Sequence, residues 1–372
     1  MDNAATTRVR EEAAEKYCRV MEEVFGNPSS LHTFGREAAR EVSLARKTIA
    51  KVLSAEKDEI YFTSGGSESD NWALKGVAHA LAQKGKHIIT TAFEHHAVLN
   101  SCAALEKEGF EVTYLPVSAD GFVSVSDVEN AIREDTILVS VMAANNEVGT
   151  VQSIREIGAL CREKGVLFHT DAVQAAGHIP LDVKAQSIDL LSLAGHKFYA
   201  PKGVGALYIR KNIVPQNLID GGAQEKGRRA GTENVPAIAA MAVALSLAAR
   251  EMEEECRRLS ALRDRLKNGI AALCPNAIFN GKSGLPGHLN VTFPGISAEA
   301  LLLSLDMAGV AVSAGSACTA GSLDPSHVLL AMGVPDDLVK SSVRFSLGKY
   351  NTESEVDRVL DILPDILQKL KI

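Results

Sequence analysis

From about residue 59 to 210 the chain alternates short apolar runs with amphipathic stretches, and this alternation limits its possible folds more than any other feature. The runs EIYFTS, HIITTAF, EVTYLPV, TILVSVMAA, VLFHTDAV, DLLSLAG and VGALYIR are rich in apolar residues, several almost continuously so. Strands buried on both faces read this way. Between them lie helix-like segments such as WALKGVAHALAQKG and IREIGALCREKG, the second ending on Lys164-Gly165, a helix stop signal. The expectation is an α/β fold with a mostly parallel, seven-stranded sheet. Ligands in such folds sit at the carboxyl ends of the strands.

From Pro236 to about Leu273 the pattern is helical and long, with Pro236 suited to a first turn. After it come HLNVTFP, a helix SAEALLLSLDMAG, a strand VAVSAG, a helix HVLLAMG, a strand SSVRFSLG and a last helix kinked at Pro364. This predicts a large domain over 11–250 and a small α+β domain over 1–10 and 251–372. The net charge of −7 argues against a general nucleic-acid binder. No apolar run reaches the roughly 18 residues of a membrane span, and the polar, acidic start does not resemble a signal peptide. A cytoplasmic protein is expected. None of the six cysteines forms a C-x-x-C pair, and no zinc-like spacing occurs.

Several residues suggest chemistry. Thr63-Ser64-Gly65-Gly66-Ser67 follows a strand and opens a helix, so backbone N–H groups and the Ser67 hydroxyl could hold a phosphate. Asp171 ends a buried strand, where a carboxylate needs a partner such as a protonated pyridine. Lys197 follows the next strand beside His196; a lysine in a dry cleft can form a Schiff base. His95, after another strand, could stack on a ring and move protons. Arg344, within a buried strand, suits a carboxylate. Cys318 sits in Ser313–Ser322, almost wholly small residues, an open setting for a nucleophilic thiol. Each alone admits a structural reading: a capped turn, a satisfied aspartate, a surface lysine, a packed histidine, an internal ion pair. Together a phosphate turn, an acid and a lysine meet the needs of pyridoxal phosphate.

The motifs DNAATT, NPSSLH, TSGGSESDN, EHHAV, ANNEVG, TDAVQ, GHKFYAPKG, RRAGT, SAGSAC and SSVRFSLG, in that order, resemble cysteine desulfurases of the NifS/IscS type across nearly the whole chain. The resemblance implies a fold type I pyridoxal-phosphate transferase working as a homodimer. It implies that Lys197 holds the cofactor, with His95 on the ring, Asp171 on the pyridine nitrogen and Gln174 on the phenolic oxygen. Gly66, Ser67 and His196 would bind the phosphate, with Ala194 and Gly195 in the same turn. Thr232 would reach the partner subunit's phosphate. Asn146 would lie near ring and substrate, and Arg344, with Asn27, would bind the carboxylate of L-cysteine. Cys318 would take the sulfur as a persulfide and pass it to a protein acceptor such as an iron–sulfur scaffold, transiently sharing a cluster there; no other metal is implied.

Three departures stand out. Ala194 replaces a serine common in the family, removing one phosphate hydrogen bond. Met1 directly precedes Asp2-Asn3, without the short strand that often leads into this motif. The chain ends at Ile372, whereas IscS-type relatives often carry a scaffold-docking tail, which leans the expectation toward NifS-like sulfur delivery. A selenocysteine lyase, an aminotransferase and a non-catalytic sulfur-relay protein are the alternatives.

Overall fold

The computed structural model describes residues 1–282, 284–315 and 325–370. The seven apolar runs form seven strands: β1 Ile60–Thr63, β2 His87–Thr91, β3 Glu111–Leu115, β4 Thr136–Ser140, β5 Leu167–Asp171, β6 Leu190–Ala194 and β7 Gly205–Ile209. They make one sheet in the order β1-β7-β6-β5-β4-β2-β3. The pairs β2/β3, β2/β4, β4/β5 and β5/β6 are parallel. Only β7 runs against both of its neighbours. Every residue of β1, β2, β4, β6 and β7 is buried, which explains their lack of alternation.

The long helix is Val235–Leu273, opened by the Asn234 side chain accepting the Ala237 N–H, with proline in its first turn. It is long and apolar enough, by length and composition, to cross a membrane. Its apolar residues serve two cores instead. Val235–Leu245 pack in the core of the large sheet, and Leu259, Leu262, Leu266 and Ile270 in a second core.

That second core lies on a smaller sheet of β8 Ile278–Asn280, β9 His288–Thr292 and β10 Ser342–Ser346, in the order β10-β9-β8. One expectation fails here. VAVSAG is not a strand; Val310 and Val312 are buried, but the segment meets the sheet only at the Ser313–Arg344 bridge. Conversely, the short β8 has too little patterning to be read. The helix Glu353–Leu370 runs through Pro364.

The N-terminal residues join the two sheets. Ser346 donates its N–H to the Met1 carbonyl, and Asn3 N–H bonds the Ser346 carbonyl. Four residues on, Thr7 N–H donates to the His196 carbonyl at 2.9 Å and Arg10 N–H to the Tyr199 carbonyl at 3.0 Å.

Candidate active site

The carboxyl ends of β1, β2, β4, β5 and β6 open on a cavity of about 150 Å3. Gly66 and Ser67 reach it from the end of β1, and His95 from the turn after β2. Met142, Ala144 and Asn146 come from the turn after β4; Asp171, Val173 and Gln174 from β5; Ala194, His196 and Lys197 from β6. Ala4 and Ala5 close one side, and Arg344 arrives from β10. The fold thus brings together residues that are far apart in sequence.

Lys197 ends a 3-10 turn, Gly195–Lys197. Its Nζ donates to the carbonyls of Ala4 at 2.6 Å and Ala5 at 2.9 Å. Those carbonyls are set by the N-terminal segment's own bonds to the same turn, so the amine is aimed by backbone on both sides. Gln174 Nε2 shares the Ala4 carbonyl at 2.9 Å.

Asp171 Oδ1 accepts the Val173 N–H at 2.8 Å. Burial raises its pKa, while His95, that N–H and Lys197 pull it down. His95 precedes the helix His96–Lys107 and caps it, its Nδ1 accepting the Ala97 N–H at 3.1 Å. With Nδ1 an acceptor, the neutral ring carries its proton on Nε2. His196 is pushed down to about 4, by burial first and then by Lys197 and Lys202, so it is neutral near pH 7.

The glycine turn is braced from outside. Glu68 accepts the Ser64 N–H at 2.8 Å and a two-pronged bond from Arg229 at 2.8 and 3.0 Å. Gly66 is required by contact: a Cβ there would lie 2.7 Å from Val173 Cγ2. Arg344 is fully buried. Its Nη1 donates to the Asn146 carbonyl and its Nη2 to Asp2, each at 2.9 Å. Its Nε has no partner among the described residues.

Two expected residues lie off this cavity. Gly195 does not line the cavity; it packs against Ala200 and Val204 and supports the lysine turn. Asn27 is exposed, its Oδ1 accepting the Ser29 N–H in a local turn. Thr232 is exposed and outside its own chain's cavity. Cys318 lies outside the described residues. Sequence reasoning missed Asp70, Met142 and Val173, which line the cavity, and Asn145. The Asn145 side chain holds the β4 turn by accepting the N–H groups of Glu147 and Val148; an asparagine at a strand end was its only signal. Cys102 and Cys161 are buried and raised to about 12, as befits packing residues rather than nucleophiles.

These observations fit pyridoxal 5'-phosphate. The donor set offers an amine, a buried carboxyl and an imidazole around one cavity. A helix N-terminus opens into that cavity at a glycine whose side-chain space is already filled, as a phosphate cradle requires. Lys197, Asp171 and His95 would hold the ring end, and Gly66, Ser67 and His196 the phosphate.

The chain matches the family described as Aminotransferase class-V over residues 1–359. It is 55% identical to the cysteine desulfurase IscS of Clostridium botulinum, covering 99% of this chain and 94% of that protein. It is 56% identical to the IscS of Methanosarcina thermophila, over 100% and 92%. A solved NifS-like protein superposes with a TM-score of 0.94 at 41% identity, covering 99% of both chains. A structure described as SspA in complex with cysteine gives 0.82 at 38% identity, covering 94% and 99%. The chain belongs to the class V aminotransferase family, among its pyridoxal-phosphate-dependent cysteine desulfurases of the NifS/IscS type.

Proposed function

We propose that this protein is a cysteine desulfurase that converts L-cysteine to L-alanine and leaves the sulfur on Cys318. The observation that carries the reading is the single cavity in which Lys197, Asp171, His95 and Arg344 converge. Bound pyridoxal phosphate supplies an aldehyde for the substrate amine and a sink for charge developing at Cα. The chain's residues do the rest. The Lys197 amine removes and returns the Cα proton. Asp171, whose burial is opposed by the basic His95 and Lys197 beside it, would hold a proton on the ring nitrogen. His95 offers its Nε2 proton to the departing substrate. Arg344, whose Nε has no partner among the described residues, takes the substrate carboxylate by charge-assisted bonds. The Cys318 thiolate attacks the substrate sulfur; the S–S bond forms as the C–S bond breaks, and its electron pair stays with carbon, which is then protonated. L-cysteine and a thiol thus become L-alanine and a persulfide, with no outside oxidant.

The same reading makes the enzyme a homodimer, with the exposed Thr232 completing the partner's phosphate site. It passes sulfur to a protein acceptor, such as an iron–sulfur scaffold, in the reducing cytoplasm. The relatives named IscS support that role.

The test is to incubate the purified yellow protein with L-cysteine and measure alanine and sulfide, against keto-acid-dependent transamination. Cys318→Ala should stay yellow and release no sulfide, and Lys197→Ala should lose the visible band. Normal sulfide from Cys318→Ala would end the assignment.

A further inference from the structure

One buried acid in the cavity has no place in the scheme above. Asp70 lies one turn into the helix Gly66–Leu81, is 1% exposed and lines the same cavity as Asp171. Its Oδ1 has no hydrogen-bond partner among the described residues. His169 Nε2 lies 3.6 Å from that oxygen.

His169 is a poor counter-cation. It sits on β5 two residues before Asp171, on the same strand face. Its Nδ1 meets the Ser140 hydroxyl of β4 at 2.8 Å and its Nε2 the Ser192 hydroxyl of β6 at 3.0 Å. Complete burial drops its pKa to about 3, so it is neutral near pH 7. The groups facing Asp70 are thus neutral His169 and acidic Asp171 from β5, Ser192 from β6, and Glu94 from the turn after β2. Asp171 has His95 and Lys197 beside it. Two carboxyls in one dry cavity do not both ionise, and the proton goes to the one without a cation.

We infer that Asp70 is a positioning residue for the coenzyme: a carboxylic acid held neutral beside Asp171, whose retained proton leaves Asp171 as the ionised group facing the ring. The Ser140–His169–Ser192 chain is the dry, neutral backing that makes this possible. Burial first, then the charges of Asp171 and Glu94, raise the pKa of Asp70, against the smaller pull of a hydrogen bond with Ser192. The inference rests on the coenzyme reading and deepens it.

Three measurements test it. Infrared spectra of apo- and holo-protein near pH 7 should contain the carbonyl stretch of a protonated carboxyl that disappears in Asp70→Asn. Glu94→Gln and Glu147→Gln identify the bands of Glu94 and Glu147, two other buried acids near the cavity whose pKa values are raised by burial. No lost band in Asp70→Asn overturns the inference, and because the apo-protein is read too, this failure is distinct from failure to take up coenzyme. The visible band of bound coenzyme should titrate with pH in Asp70→Asn within about 0.3 unit of the unmodified protein, since one neutral group replaces another. A shift of about one unit or more means an ionised Asp70 and overturns it. Asp70→Leu should keep the fold, checked by apo-protein melting, and weaken coenzyme retention about tenfold, while Asp70→Asn should retain it. Wild-type retention by Asp70→Leu, or equal loss in both variants, also overturns it.

Discussion

Replacing Gly66 by alanine tests how the phosphate cradle is shaped. A Cβ at this position would stand 2.7 Å from Val173 Cγ2 and 3.5 Å from the Ala194 methyl. Carbon atoms rest at about 3.5–4.0 Å, so Val173 must retreat by roughly 1 Å. Val173 is β-branched and stiff, and its N–H is the bond that anchors Asp171 Oδ1 at 2.8 Å. The push therefore reaches the acid that serves the ring. Overpacking of this kind costs about 1–3 kcal/mol. If the bound geometry bears that cost, coenzyme affinity falls about 5- to 150-fold. The same contact exists without coenzyme, so part of this cost should also appear as a lower melting temperature of the apo-protein.

The assay is titration of apo-protein with pyridoxal phosphate, followed by the visible band. Val173→Ala alone removes Cγ2 and should cost little. Gly66→Ala with Val173→Ala should recover most of the affinity, giving a large coupling energy between the two sites. If the double variant is as weak as Gly66→Ala, or weaker by simple addition, the contact with Val173 is not the cause and the reasoning fails.

Ala194→Ser puts a hydroxyl on the cavity wall next to Gly66 and should tighten coenzyme retention by about 0.5–1.5 kcal/mol in the same titration; weaker retention would mean the methyl is there for fit. Glu94 is fully buried, its Oε1 taking the Met142 N–H and the Thr91 hydroxyl, and its pKa is raised by burial from 4.5 to about 8. The folded state thus keeps a proton that the unfolded chain releases, so this stability is complete below about pH 4.5 and is lost as pH rises through about 8. Glu94→Gln should flatten that decline in melting temperature across this window, and an unchanged slope would refute it. Arg344→Lys loses the fork that reaches both Asn146 and Asp2; KM for L-cysteine should rise by about tenfold or more, with a smaller change in kcat.

The large sheet was legible because its strands are buried on both faces, so each reads as an apolar run between helical stretches. Strand order was not legible: nothing in VGALYIR marks β7 as the strand that inserts antiparallel between β1 and β6. The small sheet was partly misread for a related reason. VAVSAG has the composition of a strand and its valines are buried, but burial can be met by side chains without a ladder. At the site, Lys197, Asp171 and His95 were visible as polar residues ending apolar runs. Asp70 was not, because a helical Asp between Ser69 and Asn71 looks like solvent-facing polarity until the helix is laid on the sheet. Ala4 and Ala5 act through their carbonyls, which every residue has. A role carried by backbone leaves little composition to read.

The N-terminal segment shows why the two cations of the site belong to one device although they lie on different sheets. Lys197 is held by the carbonyls of residues 4 and 5, and Arg344 by the carboxylate of residue 2. Asp2 also accepts the Ser313 hydroxyl at 2.9 Å, beside the bridge that ties residue 313 to Arg344. A shift of the segment along β10 would therefore move the partner of the carboxylate-binding arginine and the partner of the amine together. The large sheet fixes the acid and the phosphate turn, and the small sheet fixes the arginine. The first ten residues set the distance between them. Because buried ion pairs are costly to break on one side only, a ligand carboxylate entering this cavity has to supply Arg344 with what Asp2 now gives it. The Nε, which has no partner among the described residues, offers a place to begin that exchange without first stripping the guanidinium of its existing bonds.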